Sequence, residues 1–197
     1  MMDICFIDIT VEFLSVAFHS ILYYANVYPK SIFETRKKYS IIVYHSIHPE
    51  INNYIDMCLR SVSECFKSGN LTRVVFAITD SGYRPILKFV FDFQKNMSFD
   101  DTTDAYLVQA EQNLRAFLLK LSSISDKFTN LPEETSFTVH LHTNESTAIA
   151  ITTNPSFDDF PLVEIEQKPI ESTEILPLRS FSARSCNMDV YMEIINL

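Results

Sequence analysis

Hydrophobic positions along this chain follow two rhythms. Through residues 8–27 they recur at 11, 14, 18, 21, 22 and 25. That spacing lines one face of an α-helix, which Pro29 then ends. A second helix is predicted over 49–67, with Ile51, Ile55, Cys58, Val62 and Phe66 on one stripe. Pro49 fits its first turn, where a missing N–H costs nothing, and Gly69 stops it. A third is predicted over 102–124, from apolar residues at 107, 110, 114, 117, 118 and 121, with Asp101 to Asp104 supplying caps.

The other rhythm has period two and predicts strands. Tyr39, Ile41 and Val43 alternate with their neighbours, giving a strand pair with a basic turn at Arg36, Lys37 and Lys38. Residues 71–79 and 84–93 read as an antiparallel hairpin, because "DSGY" between them holds turn formers. Phe137, Val139 and Leu141 alternate within 135–143. From 144 onward the texture changes. Pro155, Pro161, Pro169 and Pro177 separate short apolar groups, and no helical period is visible. The last residues, "NMDVYMEIINL", alternate again at Met188, Val190, Met192 and Ile194. One domain spans 1–197: a helix–strand core over 1–143, then an extended, strand-bearing tail over 144–197 that needs a sheet edge to dock on.

Composition narrows the function. Hydrophobic residues make up 47% of the 197, enough for a sizeable core. No apolar run in the sequence approaches the roughly 20 residues that cross a bilayer. "MMDICFIDIT" lacks the basic start and cleavage site of a secretory signal. A soluble, intracellular protein is expected. Sixteen Lys and Arg stand against 25 Asp and Glu, a net charge of −9. Direct grip on nucleic acid needs many cations at phosphates, so no direct DNA binding is expected. The 4 cysteines form no CxxC pair, which favours reduced, mostly buried thiols. Only 2 glycines occur, so Gly-rich phosphate loops and GxSxG elbows are excluded.

Candidate chemistry is sparse. His45 with His48 and His140 with His142 form two pairs, but neither has a third ligand nearby in sequence, and metal sites need three or four. Cys58 lies on a buried stripe and Cys186 has no neighbouring histidine, so neither resembles an activated nucleophile. Asp100, Asp101 and Asp104 sit where a helix N-terminus favours negative charge. Arg36, Lys37 and Lys38 could touch an acidic partner or DNA, or simply form a solvated turn. Tyr28, Tyr54, Phe137, Phe160 and Leu162 fall at or beyond the edges of the clear stripes. They read equally as core fillers or as anchors lining a peptide groove. No catalytic residue, metal or cofactor is expected.

Several stretches together resemble the HORMA-domain family: "EFLSVAFHSILYYANVYPKSIFETRKKYSIIVYHSIHPEINNYI", "RPILKFVFDF", "AEQNLRAFLLKLS", "SFTVHLHT", "KPIESTEILPL" and "DVYMEI". They look most like its mitotic-arrest-deficient-two-like branch, the non-catalytic subunits of translesion DNA polymerase zeta. The resemblance runs from about residue 12 to 193. It implies an α+β fold of three helices packed on an antiparallel sheet, with a mobile C-terminal safety belt over 144–197. The belt wraps a partner peptide, and the last strand docks on the sheet edge.

Carried onto this chain, the resemblance makes Tyr54 the tyrosine that contacts the peptide. Leu162, in "DFPL", stands where relatives carry tryptophan. Ile175, Asp189 and Tyr191 match the belt surface that binds the scaffold translesion polymerase, a deoxycytidyl transferase. Leucine and glutamine are usual at the first two of these. Arg115 matches an arginine at the family's self-association interface, and its alternative role is an ion pair with Glu111.

The implied function is a non-enzymatic adaptor in DNA damage tolerance. It captures a peptide of the polymerase zeta catalytic subunit and bridges it to the scaffold polymerase. A HORMA homo- or heterodimer and an AAA ATPase remodeller are further implied partners. The nucleus, with the cytoplasm as a second location, is the implied compartment, and no membrane is involved. Alternatives are a HORMA adaptor in spindle-checkpoint control or double-strand-break repair and, remotely, a metal-dependent enzyme built on the histidine pairs.

Overall fold

A computed structural model describes residues 4–95, 103–128, 131–157, 160, 162–165, 174–182 and 186–195. Side chains at 103–110, 156, 181 and 182 are not described, so the expected capping carboxylates at 100–104 lie outside it. The predicted rhythms become elements. Helix α1 runs Ile4–Tyr24, α2 Pro49–Ser68 and α3 Thr103–Ser123. Strands β1 (Phe33–Lys38) and β2 (Ile41–Ser46) form a separate two-stranded sheet. Strands β3 (Arg73–Asp80), β4 (Pro85–Lys95), β5 (Thr135–His142), β6 (Glu174–Ser182) and β7 (Cys186–Ile194) form an antiparallel sheet. Its order is β5-β3-β4-β7-β6.

Helix α1 is the axis of the core. Phe13, Leu14, Phe18, Ile21 and Leu22 are fully buried, and it packs against α2, α3 and β2. Its 21 residues are long and apolar enough to cross a bilayer, contrary to expectation, because the apolar stretch begins at Ile4. Here that surface meets protein instead. The ring of Phe13 lies edge-on to Phe117 at 5.1 Å and to Phe91 at 6.1 Å, tying helix, helix and sheet together. Gly69 closes α2 in the left-handed region (φ 73°), and its N–H reaches the carbonyls of Cys65 and Phe66.

The sheet buries one face under the helices. Val74, Phe76 and Ile78 of β3, Leu87, Phe89 and Phe91 of β4, and Met188, Val190 and Met192 of β7 all point into this core. Phe137, Val139 and Leu141 of β5 pack on it half-buried. The other face holds a small buried apolar cluster of Val75, Ala77 and Val90, with the half-buried Tyr191 packed against it.

Two expectations are corrected. The basic run lies inside β1, and the turn is Tyr39-Ser40 (φ 50° and 59°), joining a Lys38–Ile41 pair. Nothing in "YS" signals such a turn, and packing of Tyr39 against the core places it. The tail is not wholly extended: Glu145–Thr152 forms a fourth helix, α4. Asn144 caps it by accepting from the Thr147 N–H at 3.0 Å. Strand β7 docks on β4, the edge of the strands from the first 143 residues, and β6 in turn covers β7.

Candidate functional site

Strand β5 is one rim of the sheet, so its outer main-chain groups have no strand beside them among the described residues. Aromatic residues gather here. Phe137 stacks on Phe76 at 5.1 Å and takes edge-on contacts from Tyr28 (6.2 Å) and Tyr54 (5.3 Å). Tyr54 in turn meets Phe160 at 5.6 Å. Tyr28 arrives from the loop after α1, Tyr54 from the first half of α2, and Phe160 from the segment after α4. Leu162 packs half-buried against the main core. The sequence-named residues Tyr28, Tyr54, Phe137 and Phe160 are therefore one continuous aromatic row along a strand edge.

The electrostatics suit binding better than bond-making. Burial raises the Tyr54 hydroxyl above its ordinary pKa, with Cys58 adding to it and hydrogen bonding to Thr138 and the Val139 main chain opposing. Burial likewise raises Tyr28, against a hydrogen bond with Ser136. Burial pushes the Cys58 thiol up to about 12, so it stays protonated and inert at neutral pH. Sequence reasoning had placed Cys58 only as stripe filler and missed Phe76, whose contact with Phe137 depends on strand register.

The C-terminal segment is fastened at several points. Thr147 of α4 accepts from Asn70 Nδ2 at 2.9 Å and donates to Ser68 Oγ at 3.3 Å, at the C-terminal end of α2. In β6, Leu178 is the extra residue of a bulge and turns into the core. Its neighbour Arg179 donates through Nη2 (2.7 Å) and Nε (3.2 Å) to Asn113 Oδ1 on α3. Lys127 pairs with Glu174 at 3.0 Å.

On the outer face, register aligns Asp189 beside Asp92, Tyr191 beside Val90, and Glu193 between Lys88 and Ile175. Tyr191 donates to Asp92 Oδ2 at 3.0 Å, and Asp92 also receives Arg73. Burial first, then Asp92, push the Tyr191 hydroxyl up to about 12. Ile175 is 58% exposed at the end of this row. Ile175, Asp189 and Tyr191 thus share one face. Arg115 is exposed on α3, and the ion pairs among the described residues do not include it with Glu111.

The two histidine pairs differ: His140 and His142 stay on one face of β5. His45 stacks on His19 at 4.0 Å rather than joining His48. His140 and His142 stand opposite Val75 and Arg73. Burial lowers the pKa of both. No cluster of three or more His, Cys, Asp or Glu that could hold a metal occurs among the described residues.

Comparison with known proteins places this geometry. The family profile described as "HORMA domain" matches residues 7–159. The human protein named "Mitotic spindle assembly checkpoint protein MAD2B" is 35% identical, over 94% of this chain and 89% of its own length. The Drosophila melanogaster "DNA polymerase zeta subunit 2" is 27% identical, over 93% and 94%. Among solved structures, a chain of "Crystal Structure of Mitotic Checkpoint Complex" superposes with a TM-score of 0.83 at 16% identity, covering 98% of this chain and 99% of that one. "C. elegans HTP-2 bound to HTP-3 closure motif 1" gives 0.67 at 11%, covering 94% and 84%.

Proposed function

The chain belongs to the HORMA domain family, and from that premise we propose that it is a non-catalytic adaptor subunit of a translesion DNA polymerase zeta. It holds an extended peptide of the catalytic subunit against the β5 edge and beneath the segment 144–197. The observation that carries this reading is the β5 rim, which has no strand beside it among the described residues and is lined by Tyr28, Tyr54, Phe137 and Phe160. An added strand gains main-chain hydrogen bonds there, and the aromatic row supplies side-chain anchors. Leu162 gives a smaller anchor than tryptophan, which favours a bulkier peptide residue at that point. The name of the fly relative supports the polymerase assignment.

The second interface is the outer face of β6 and β7. Ile175, Asp189 and Tyr191 contact a scaffold translesion polymerase, and they come together only while β7 is docked. Arg115, with the exposed Leu119 one turn on, is the self-association face. An AAA ATPase that reopens the segment completes the cycle, and the nucleus is where these partners meet.

Isothermal titration with a peptide from the catalytic subunit tests the first site. Tyr54→Ala lowers affinity at least about tenfold, in the range of a lost aromatic anchor. Unchanged affinity removes the site. An Ile175→Ala, Tyr191→Ala double variant that still binds the scaffold at full strength removes the second interface. The name of the human relative favours one other reading, a HORMA adaptor of the spindle checkpoint. Identification of the peptide captured from nuclear extract separates the two.

A further inference from the structure

The β1–β2 hairpin has no part in the proposed peptide site and lies in a different sheet. Its two edges differ. The β2 edge is occupied: Ser46 N–H donates to His19 Nδ1 at 3.3 Å, and Asn52 Nδ2 donates to Ser46 O at 2.9 Å. The β1 edge has no strand beside it among the described residues, and every residue from Glu34 to Lys38 is exposed. Ile47 N–H donates to Ile32 O at 2.8 Å, which sets the parity of the ladder. Glu34 with His45 and Arg36 with Val43 are then the hydrogen-bonded pairs, so the N–H and C=O groups of Thr35 and Lys37 point away from β2.

The charge around this edge opposes that of the molecule. Lys30, Arg36, Lys37 and Lys38 stand against Glu12 and Glu34 in a chain of net charge −9. Arg36 pairs with Glu34 and Lys38 with Glu12, while Lys37 has no ion pair among the described residues. Lysines on an edge usually block strand pairing with another copy. They do so here, because two such edges bring like charges together. The same charges attract a strand of opposite sign, and the acidic remainder of the surface steers that strand to this edge.

We propose that the β1 edge is a second strand-addition site, which takes an extended acidic segment of a partner protein with its carboxylates set against Arg36, Lys37 and Lys38. Ile42, 65% exposed on the Lys37 face, gives the incoming strand an apolar neighbour. This surface is independent of the β5 groove and stands whatever occupies that groove.

The test uses the full chain with a capped synthetic peptide of repeated Glu-Glu-Val-Val, which sets glutamates on both faces of the strand. The lysine counterpart of the peptide and a thymidine oligonucleotide serve as competing probes. Residue-resolved amide exchange then reports protection at Thr35 and Lys37 with the glutamate peptide alone. Affinity falls about tenfold on raising salt from low to molar levels, as expected for exposed charges. Lys37→Glu weakens binding by a similar factor. Thr35→Pro removes an outward N–H without touching the charges or the inner ladder, and it abolishes the protection. Equal protection by the lysine peptide, preference for the oligonucleotide, or full binding by a folded Thr35→Pro variant overturns the proposal. Should Thr35→Pro unfold, undiminished binding by Lys37→Glu overturns it alone.

Discussion

At the scale of single residues, the most consequential buried group is His19. It is 1% exposed, stacked on His45, and its Nδ1 accepts the Ser46 N–H. It must therefore be neutral. Burial, then the charges of His45 and Arg36, lower its pKa from 6.5 to about 3. Between those values the unfolded chain binds a proton that the folded chain refuses. Stability is then complete above about pH 6.5 and declines as pH falls toward 3. By pH 5 the loss from His19 alone is about 2 kcal/mol, at 1.36 kcal/mol per unit below the unfolded value. Urea unfolding at pH 7 and pH 5 measures it. His19→Gln keeps an acceptor for Ser46 without a titrating ring, and it flattens that slope. An unchanged slope places the acid sensitivity elsewhere. Sequence inspection paired His45 with His48 and left His19 unmarked, because the contact crosses from α1 to β2.

At the scale of elements, Arg179 is the fastening most open to test. Arg179→Ala leaves Asn113, 6% exposed, with a buried carbonyl and no donor, a cost of about 1–3 kcal/mol. Amide exchange then quickens across β6 while β3 and β4 keep their protection. Uniform quickening would show instead that β6 and the core open together. The three long helices and strands β2, β3, β4, β5 and β7 were legible in the sequence, from helical spacing, period-two alternation or the turn formers between β3 and β4. The aromatic row was legible as a set of residues but not as a row, since its order depends on how α2 meets β5. Helix α4 was not legible. "ESTAIAIT" is rich in β-branched residues and has no clean stripe, so its helix rests on the Asn144 cap and on contacts with α2. The bulge at Leu178 was hidden for a related reason, as one added residue reverses the facing of everything beyond it.

At the scale of the whole molecule, the five-stranded sheet is completed by the last part of the chain. Deleting residues 186–197 removes the one strand paired with β6 among the described residues and bares the β4 edge, with Phe89 and Phe91 beneath it. The truncated chain loses both proposed interfaces and elutes as aggregate on gel filtration. A truncated chain that stays monomeric and still holds peptide would separate β7 from both. Strand β7 has a neighbour on each side, so it cannot peel away singly. Residues 174–182 must leave before or together with 186–194, against the Arg179 and Lys127 bonds. In an adaptor built this way, equilibrium affinity is a poor guide to behaviour in time. Under the proposed capture, a bound peptide would outlast the concentration that loaded it, and the molecule would act as a memory of past encounters.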